Sequence, residues 1–237
     1  MIRKEKLTAI IPVRSGSKGI PNKNLYRLGK HSLLERTIIQ AKKCSYIDKI
    51  IVSTDSTRMH KIAEDNGVAM KTLRPANLAT DDATTIDVID HALNITKITQ
   101  GHIILLQVTT PFRTLDDYNT FCSEYDKNIE CCSSMISVNE YEGEHPNKIQ
   151  KIENGYLKSY LNIESMVPRQ LLPKVYELNG AFYITSIIEF KKNKSFYSKN
   201  VKPFIMPREK SLNLDTQKDL DLLEYDLSKG NNIFEDY

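Results

Sequence analysis

The chain has 237 residues, 40% hydrophobic and 27% charged, which is typical of one large globular domain or one domain with an inserted subdomain. The net charge of +3 is too small to predict a nucleic-acid partner, and the longest apolar runs are too short for a transmembrane segment, so no membrane partner is expected. The four cysteines show no C-x-x-C spacing, so we expect reduced thiols in a cytoplasmic protein.

The first predicted element is a buried parallel strand at residues 7–13, which leads into a loop with two glycines and three cations. The loop glycines and cations are Gly16, Gly19, Arg14, Lys18 and Lys23. Backbone N–H groups and cations at the end of a buried strand favour binding of a polyphosphate. A solvated basic turn is the alternative. The spacing matches neither G-x-x-x-x-G-K-[ST] nor G-x-G-x-x-G, which argues against a P-loop NTPase or an NAD enzyme.

The first half of the chain then alternates helices and strands. The predicted helices are 32–44 with Ser32 as N-cap, 56–65 closed by Asn66-Gly67, 85–96 and 114–127, and the predicted strands are 49–53, 68–73 and 102–107. This order predicts an α/β fold with a parallel sheet and helices on both faces. Ligands of such sheets bind beyond the carboxyl ends of the strands, where the basic loop and residues 107–110 would lie.

The pattern changes after about residue 130, where strands become dominant. We predict strands at 130–138, 182–184 and 201–206, a hairpin at 149–157 around Asn154-Gly155, an irregular segment at 167–175 and a last helix at 216–228. Residues 139–176 therefore form an excursion from the main sheet.

Six blocks of sequence together resemble one known family. They are Arg14 to Leu25 (RSGSKGIPNKNL), Ile51 to Asp55 (IVSTD), Leu73 to Asp81 (LRPANLATD), Leu105 to Pro111 (LLQVTTP), Pro168-Arg169-Gln170 and Asn179-Gly180-Ala181. In this order, across essentially the whole chain, they resemble the CMP-acylneuraminate synthetases, also called acylneuraminate cytidylyltransferases.

The resemblance implies a nucleotidyltransferase that couples CTP to a nonulosonic acid, a nine-carbon 2-keto sugar acid, and releases pyrophosphate. It also implies a Rossmann-like, mainly parallel sheet at 1–138 and 177–237, with a small inserted dimerisation subdomain at 139–176. A homodimer and Mg²⁺, or Mn²⁺ in its place, belong to the same expectation.

For the nucleotide side, the resemblance implies three cations, Arg14, Lys18 and Lys23, as the catalytic groups that neutralise the triphosphate. Further nucleotide-binding residues are Ser17, Asn24, Arg74 and Thr85, the last two on the cytosine side. For Arg74 the alternative is a cation at a helix start, and for Thr85 it is a helix N-cap.

For the sugar acid, the resemblance implies contacts from Gln107, Lys148, Arg169, Gln170 and Asn179. Arg169 is expected to bind the carboxylate in a bidentate manner and to complete the partner subunit's site. The alternatives are a solvated strand end for Gln107 and an ordinary surface lysine for Lys148.

Two positions depart from the family pattern. Asp215 is the expected metal ligand, but Asn213 stands where the family has a second aspartate, so that one carboxylate is replaced by a neutral amide. Glu177 stands where arginine is frequent, and a carboxylate there would repel a sugar acid. Two alternative functions remain open, namely transfer to another sugar acid or sugar phosphate and a non-catalytic nucleotide-binding module.

Overall fold

A computed structural model describes residues 1–16, 19–163 and 166–228 of the chain. The strands are β1 (Leu7–Pro12), β2 (Arg27–Leu28), β3 (His31–Ser32), β4 (Lys49–Ser53), β5 (His102–Leu105), β6 (Ser134–Glu140), β7 (Gln150–Glu153), β8 (Tyr156–Ser159), β9 (Tyr176–Ser186) and β10 (Val201–Ile205). The helices are α1 (Leu33–Lys43), α2 (Thr57–Asp65), α3 (Thr85–Thr96), α4 (Leu115–Asn128), α5 (Ile187–Asn193) and α6 (Gln217–Ser228). None of these helices is long and apolar enough to cross a membrane.

Six strands form the central sheet in the order β10-β6-β9-β5-β1-β4. Strand β1 runs parallel to β4 and β5, and β6 runs parallel to β10. Only β9 is antiparallel to both of its neighbours, because the chain leaves β6 and returns directly beside it without a crossover helix. The predicted α/β, Rossmann-like and mainly parallel sheet is confirmed, and the antiparallel β9 is the feature that the sequence pattern did not predict.

The central strand β1 shows why the sheet carries helices on both faces. Ala9 and Ile11 belong to the core cluster that contains residues of α1, α2, α4 and α6. Ile10 belongs to the second cluster, with residues of α3 and α5. Successive side chains of a strand point to opposite faces, so an uninterrupted apolar strand needs cover on both sides.

The predicted helix starts are confirmed in detail by their caps. Ser32 forms a capping box with Glu35 at the start of α1. Ser56 accepts a hydrogen bond from the backbone N–H of Met59 at the start of α2. Helix α2 ends before Gly67, whose φ of 66° is readily adopted only by glycine.

Three predictions about elements were wrong or incomplete. Residues 68–73 do not form a strand, because the chain turns away after a single parallel bridge between Val52 and Ala69. Arg74 then donates a hydrogen bond to the carbonyl oxygen of Val13, just after β1. The strand predicted from residue 130 begins only at Ser134, because the N–H groups of the two preceding cysteines bond back to Asn128 and close α4. Helix α5 was not predicted at all.

The excursion between β6 and β9 carries its own two-stranded sheet. Strands β7 and β8 pair around Asn154 and Gly155, whose φ angles of 54° and 81° fit the predicted type I′ turn. Several large apolar side chains are exposed there, with Ile152 79% and Leu157 71% accessible. That residues 139–176 are a separate dimerisation subdomain stays a prediction.

Candidate active site

A cavity of about 500 Å³ opens beyond the carboxyl ends of β1 and β5. This is where ligands bind in open α/β sheets, and the size suits a small-molecule substrate. Seven of the residues proposed from the sequence line it: Arg14, Lys23, Asn24, Arg74, Thr85, Gln107 and Asp215. The proposed residues Ser17 and Lys18 lie outside the described part of the chain.

The loop after β1 is anchored at three consecutive residues. The carbonyl oxygen of Val13 accepts a hydrogen bond from Arg74 Nη2 at 3.0 Å, and that of Arg14 accepts one from Asn24 Nδ2 at 3.0 Å. The backbone N–H of Ser15 donates to Asp55 Oδ1 at 3.0 Å. Asn24 is 6% exposed, so its amide acts at least in part by holding the loop.

Arg14 crosses the cavity to the loop that precedes α3. Its Nη2 lies 2.7 Å from Asp81 Oδ1, and its Nη1 donates to the carbonyl oxygen of Ala79 at 3.3 Å. The side chains of Arg14 and Asp81 are 34% and 44% exposed, so this ion pair is accessible to solvent. An anionic ligand that bound Arg14 would compete with Asp81 for the guanidinium group.

A second ion pair joins Lys23 to the segment before α6. Lys23 Nζ lies 2.9 Å from Asp215 Oδ1, and the lysine side chain is only 13% exposed whereas the aspartate is 60% exposed. Asn213 Nδ2 donates to the other carboxylate oxygen of Asp215 at 2.6 Å. Arg14 and Lys23, two of the cations that line the cavity, thus each face one carboxylate.

The Asp215 segment is fixed against the basic loop by a close backbone contact. A Cβ atom on Gly19 would lie 2.0 Å from the carbonyl oxygen of Asp215, so only glycine fits at position 19. The backbone N–H groups of Asp215 and Thr216 both donate to Asp219, at 3.0 and 2.6 Å. Burial alone would raise the pKa of Asp219, but these hydrogen bonds and nearby Lys23 outweigh it and lower the pKa.

The residues near Asp215 suit a metal ion whose coordination shell is supplied mainly by the bound substrate and water. No group of three or more His, Cys, Asp or Glu side chains suited to a metal occurs among the described residues. The available oxygens are the Asp215 carboxylate and Asn213 Oδ1, which is buried without a hydrogen-bond partner. Mg²⁺ is commonly bound by one or two carboxylates together with substrate phosphates and water, so this donor set suits it.

Arg74 and Thr85 also line the cavity. Arg74 is buried, its Nη2 lies 3.5 Å from Asp55 Oδ1, and its Nε has no hydrogen-bond partner. Burial lowers the pKa of Arg74, although Asp55 opposes this effect. Arg74 directly precedes Pro75, the N-cap of a short helix at Ala76–Leu78, so the alternative of a helix-start cation stays open. The N-cap of α3 is Thr84, so the N-cap alternative for Thr85 is wrong.

Gln107 follows β5 and is held by its backbone. Its carbonyl oxygen accepts hydrogen bonds from Arg113 Nη2 at 2.6 Å and from Thr110 Oγ1 at 3.1 Å. Arg113 also donates to the carbonyl oxygen of Ala181 in β9 at 2.7 Å. A Cβ atom on Gly180 would lie 2.6 Å from Gln107 Oε1, so the glutamine side chain rests on the bare backbone of β9.

The other residues proposed for the sugar acid lie elsewhere. Asn179 is 2% exposed, and its amide bonds with Ser137, Ser211 and the N–H of Ala181. The exposed residues Lys148, Arg169 and Gln170 lie in the excursion and do not line the cavity of their own chain. Their roles, like that of Asn179, stay predictions.

Four further residues bear on the site: two that depart from the family pattern and two that sequence reasoning missed. Glu177 Oε1 accepts a hydrogen bond from Asn139 Nδ2 at 2.8 Å, and Asn213 contacts Asp215 as described above. Sequence reasoning did not assign roles to Asp55 and Asp81, which contact Arg74 and Arg14. Both lay within the resembling blocks, and Asp55 lies two residues after a strand of the sheet, which is the signal that could have identified it.

Comparison with known proteins agrees with this geometry. The profile of the Cytidylyltransferase family matches residues 8–223. The chain is 32% identical over 220 residues to the N-acylneuraminate cytidylyltransferase of Streptococcus agalactiae serotype V, covering 90% of this chain but only 51% of that protein. It is 31% identical to the CMP-N,N'-diacetyllegionaminic acid synthase of Legionella pneumophila, covering 92% of this chain and 95% of that protein.

The fold also matches solved structures. A CMP:2-keto-3-deoxy-manno-octonic acid synthetase in complex with CTP superposes with a TM-score of 0.66 at 16% identity, covering 95% of this chain and 99% of that chain. The present chain spans about half the length of the first curated relatives it matches. Because the family profile covers nearly all of the chain, and its cations and carboxylates meet in one cavity at the end of the sheet, the chain belongs to the cytidylyltransferase family.

Proposed function

We propose that the protein couples CTP to a nonulosonic acid, giving a CMP-sugar and pyrophosphate. The observation that carries the proposal is the placement of Arg14 and Lys23 in one cavity, with Asp215 beside Lys23. Relatives whose names specify acylneuraminate and legionaminic acid support the choice of sugar-acid class. A pseudaminic acid cytidylyltransferase of Campylobacter jejuni, 26% identical over 91% of this chain, supports the same class.

In the proposed reaction, the anomeric hydroxyl oxygen of the sugar acid attacks the α-phosphorus of CTP. A bond forms from this oxygen to the α-phosphorus, the bond to the bridging oxygen of the pyrophosphate breaks, and the hydroxyl proton is released to water. Arg14 and Lys23 would stabilise the negative charge that grows on the leaving pyrophosphate. Lys23 is well suited to this because burial of its stem reduces screening by water.

Arg74 and Thr85 are the proposed contacts for the cytosine base. Arg74 has an unpartnered Nε in the wall of the cavity, and a buried donor without a partner gains from a ligand that supplies an acceptor. The cytosine ring offers such acceptors on its edge. Thr85 lines the same wall from the first turn of α3.

We further propose that Mg²⁺, or Mn²⁺, is required and that Asp215 binds it. When bound, the metal would neutralise phosphate charge and so assist departure of pyrophosphate. The free oxygen of Asn213 would take part directly or through water. EDTA should therefore abolish turnover, and Asp215→Ala should strongly reduce it. Full activity of the wild type in EDTA would contradict this.

The sugar acid would contact Gln107 in the cavity, but the carboxylate of the sugar acid also needs a cation as its partner. Arg169 and Lys148, the proposed cations, lie in the excursion outside the cavity of their own chain. We therefore propose a homodimer in which the excursion reaches the partner's site. Exposed apolar side chains in the same segment support this, since they need a surface to cover them: Ile152, Leu157, Met166 and Leu171.

The direct test incubates the protein with CTP, Mg²⁺ and one of several acids. The panel should include N-acetylneuraminate, N,N'-diacetyllegionaminate, pseudaminate and 2-keto-3-deoxy-manno-octonate. Pyrophosphate release, with identification of the CMP-sugar by mass spectrometry, would support the proposal. Product from 2-keto-3-deoxy-manno-octonate alone would favour the alternative of another sugar acid. CTP binding with no turnover on any acid would favour a non-catalytic nucleotide-binding module.

Lys23→Ala provides the matched test of the cavity. Loss of a charge-assisted hydrogen bond to phosphate should cost about 1.5–3 kcal/mol, and turnover at sub-saturating CTP should fall accordingly. Lys127→Ala, on the exposed face of α4, is the control because Lys127 pairs with Glu124 of its own helix and does not line the cavity. Unchanged activity of Lys23→Ala would refute the assignment of the triphosphate site.

Cytoplasmic localisation is also proposed rather than observed. All four cysteines lie in the described part of the chain and are free thiols, as expected in a reducing compartment.

A further inference from the structure

The carboxylate of Asp55 contacts both the basic loop and Arg74. Asp55 lies two residues after the end of β4, at the same edge of the sheet as the loop after β1. Its Oδ1 accepts the backbone N–H of Ser15 at 3.0 Å and lies 3.5 Å from Arg74 Nη2. Its Oδ2 accepts a hydrogen bond from the hydroxyl of Ser15. Asp55 thus joins two parts of the site that approach the cavity from different strands.

Arg74 also bonds directly to the backbone of the segments that carry Ser15 and Asp55. Its Nη2 also donates to the carbonyl oxygen of Val13, two residues before Ser15, at 3.0 Å. Its backbone N–H donates to the carbonyl oxygen of Thr54, the residue before Asp55, at 2.7 Å. The arginine and the loop therefore cannot shift relative to each other without breaking contacts to the Thr54-Asp55 corner.

The electrostatics favour a charged Asp55 in this position. Burial alone would raise its pKa, but the hydrogen bonds from Ser15 and the charge of Arg74 outweigh burial and lower the pKa. The side chain of Arg74 is only 3% exposed, so its charge is costly without a nearby carboxylate. The ionised carboxylate thus stabilises the buried guanidinium while it accepts two hydrogen bonds from the loop.

We propose that Asp55 is a positioning residue that sets the distance between the base-binding arginine and the phosphate-binding loop. The inference rests on the proposed use of CTP, since it takes Arg74 as the base contact and the loop as the phosphate contact. Asp55 itself does not line the cavity. Its removal should weaken recognition of both parts at once and leave the sugar-acid site unaffected.

The test measures two partial ligands separately. CMP carries the base with one phosphate, and inorganic tripolyphosphate carries the phosphates without the base. Calorimetry on the purified full chain gives a dissociation constant for each. For Asp55→Asn, which keeps the shape but loses the charge, both constants should rise roughly tenfold. For Ser15→Ala, which removes only the loop hydroxyl, the constant for tripolyphosphate should rise while that for CMP stays unchanged.

Asp48→Asn is the matched control. Asp48 lies just before β4 and accepts the backbone N–H of Leu7 at 2.8 Å, at the opposite end of β1 from the cavity. The substitution removes the charge of a similarly placed structural carboxylate, so it should lower the melting temperature without changing either dissociation constant. In turnover, Asp55→Asn should raise the KM for CTP while the KM for the sugar acid stays within about twofold.

The outcomes separate this inference from the proposed function. The inference is overturned if Asp55→Asn weakens the binding of only one of the two partial ligands, or of neither. An equal effect from Asp48→Asn also overturns it, because Asp55 would then act only through general stability. A wild type that binds CTP but makes no product refutes the proposed function, yet the binding test of Asp55 still holds. A wild type that binds no CTP overturns both.

Discussion

At the scale of single residues, the cavity contains its own competitor for an anionic ligand. Asp81 Oδ1 lies 2.7 Å from Arg14 Nη2, so a phosphate that binds Arg14 must first displace this carboxylate. The pair is partly exposed, and exposed ion pairs contribute little, so the displacement should be easy. Such a pair offsets the charge of Arg14 when no nucleotide is bound.

We predict that Asp81→Asn tightens the binding of inorganic tripolyphosphate. Without divalent metal, the dissociation constant should fall about two- to fivefold, which corresponds to the free energy of an exposed ion pair. Calorimetry measures it directly. Asp82→Asn is the control, since Asp82 is exposed and does not line the cavity. Weaker binding by Asp81→Asn would indicate that Asp81 helps to bind the ligand instead of competing with it.

Gly19 and Gly16 lie in one loop but carry different constraints. A Cβ atom at Gly19 would meet the Asp215 carbonyl oxygen at 2.0 Å, whereas one at Gly16 would meet nothing within 4 Å. We predict that Gly19→Ala displaces Asp215 and raises several-fold the Mg²⁺ concentration for half-maximal turnover.

Gly16→Ala is the matched control for that experiment. It should cost about 1–2 kcal/mol of stability, because Gly16 has a φ of 73°, but should leave the Mg²⁺ requirement unchanged. Equal Mg²⁺ requirements in both variants would contradict the role assigned to the contact between Gly19 and Asp215.

At the scale of elements, strand β5 carries a buried titratable group at the end away from the cavity. His102 is 4% exposed, its Nδ1 lies 3.2 Å from the hydroxyl of Tyr125, and its Nε2 lies 3.3 Å from Glu5. Burial lowers the pKa of His102, although Glu5 and Asp126 oppose this effect. A histidine with a lowered pKa binds its proton less readily in the folded state than in the unfolded state.

The sign of the resulting pH dependence follows from this. The unfolded chain takes up the proton below about pH 6.5, where the folded chain resists it. Stability that is present above about pH 6.5 should therefore be lost as the pH falls. We predict that the melting temperature drops less between about pH 7.5 and about pH 5.5 in His102→Gln than in the wild type. An equal or larger drop in the variant would contradict this.

The elements also show what the sequence could and could not predict. Local signals located α1, α2, α3 and α4 well, because their caps are set by neighbouring residues such as Ser32 and Glu35. The direction of β9 depends on where the chain re-enters the sheet, which no local pattern encodes. Residues 68–73 have the apolar character of a strand, but the chain leaves the sheet edge so that Arg74 can reach Val13.

The same distinction holds for the site. Residues of the resembling blocks that follow β1 and β5 meet in the cavity, because parallel strands bring their carboxyl ends together. The partners of the cations, Asp55 and Asp81, are distant from them in sequence, so the ion pairs they form become apparent only in the folded chain. The excursion residues Lys148 and Arg169 are not brought to the cavity of their own chain, since they belong to a segment that leaves the sheet.

At the scale of the whole molecule, the exposed excursion and the incomplete sugar-acid site point to the same cause. The cavity has cations for phosphate, but Arg169 instead donates to the carbonyl oxygen of Glu142 within the excursion. The β7–β8 hairpin exposes Ile152 and Leu157 by 79% and 71%, which is costly for a segment that remains in water. A second copy of the chain could cover the hairpin and receive Arg169.

We therefore predict that assembly and activity are lost together. Leu157→Asp should convert a dimer into a monomer, because it places a charge in a buried apolar interface, and turnover should fall with the dimer fraction. Light scattering coupled to gel filtration gives the mass, and pyrophosphate release gives the activity. Ile188→Asp, at a site on α5 that is 69% exposed and outside the excursion, should leave both unchanged.

Arg169→Ala should keep the dimer but raise the KM for the sugar acid more than that for CTP. A fully active monomer, or an Arg169→Ala defect confined to CTP, would refute the shared site.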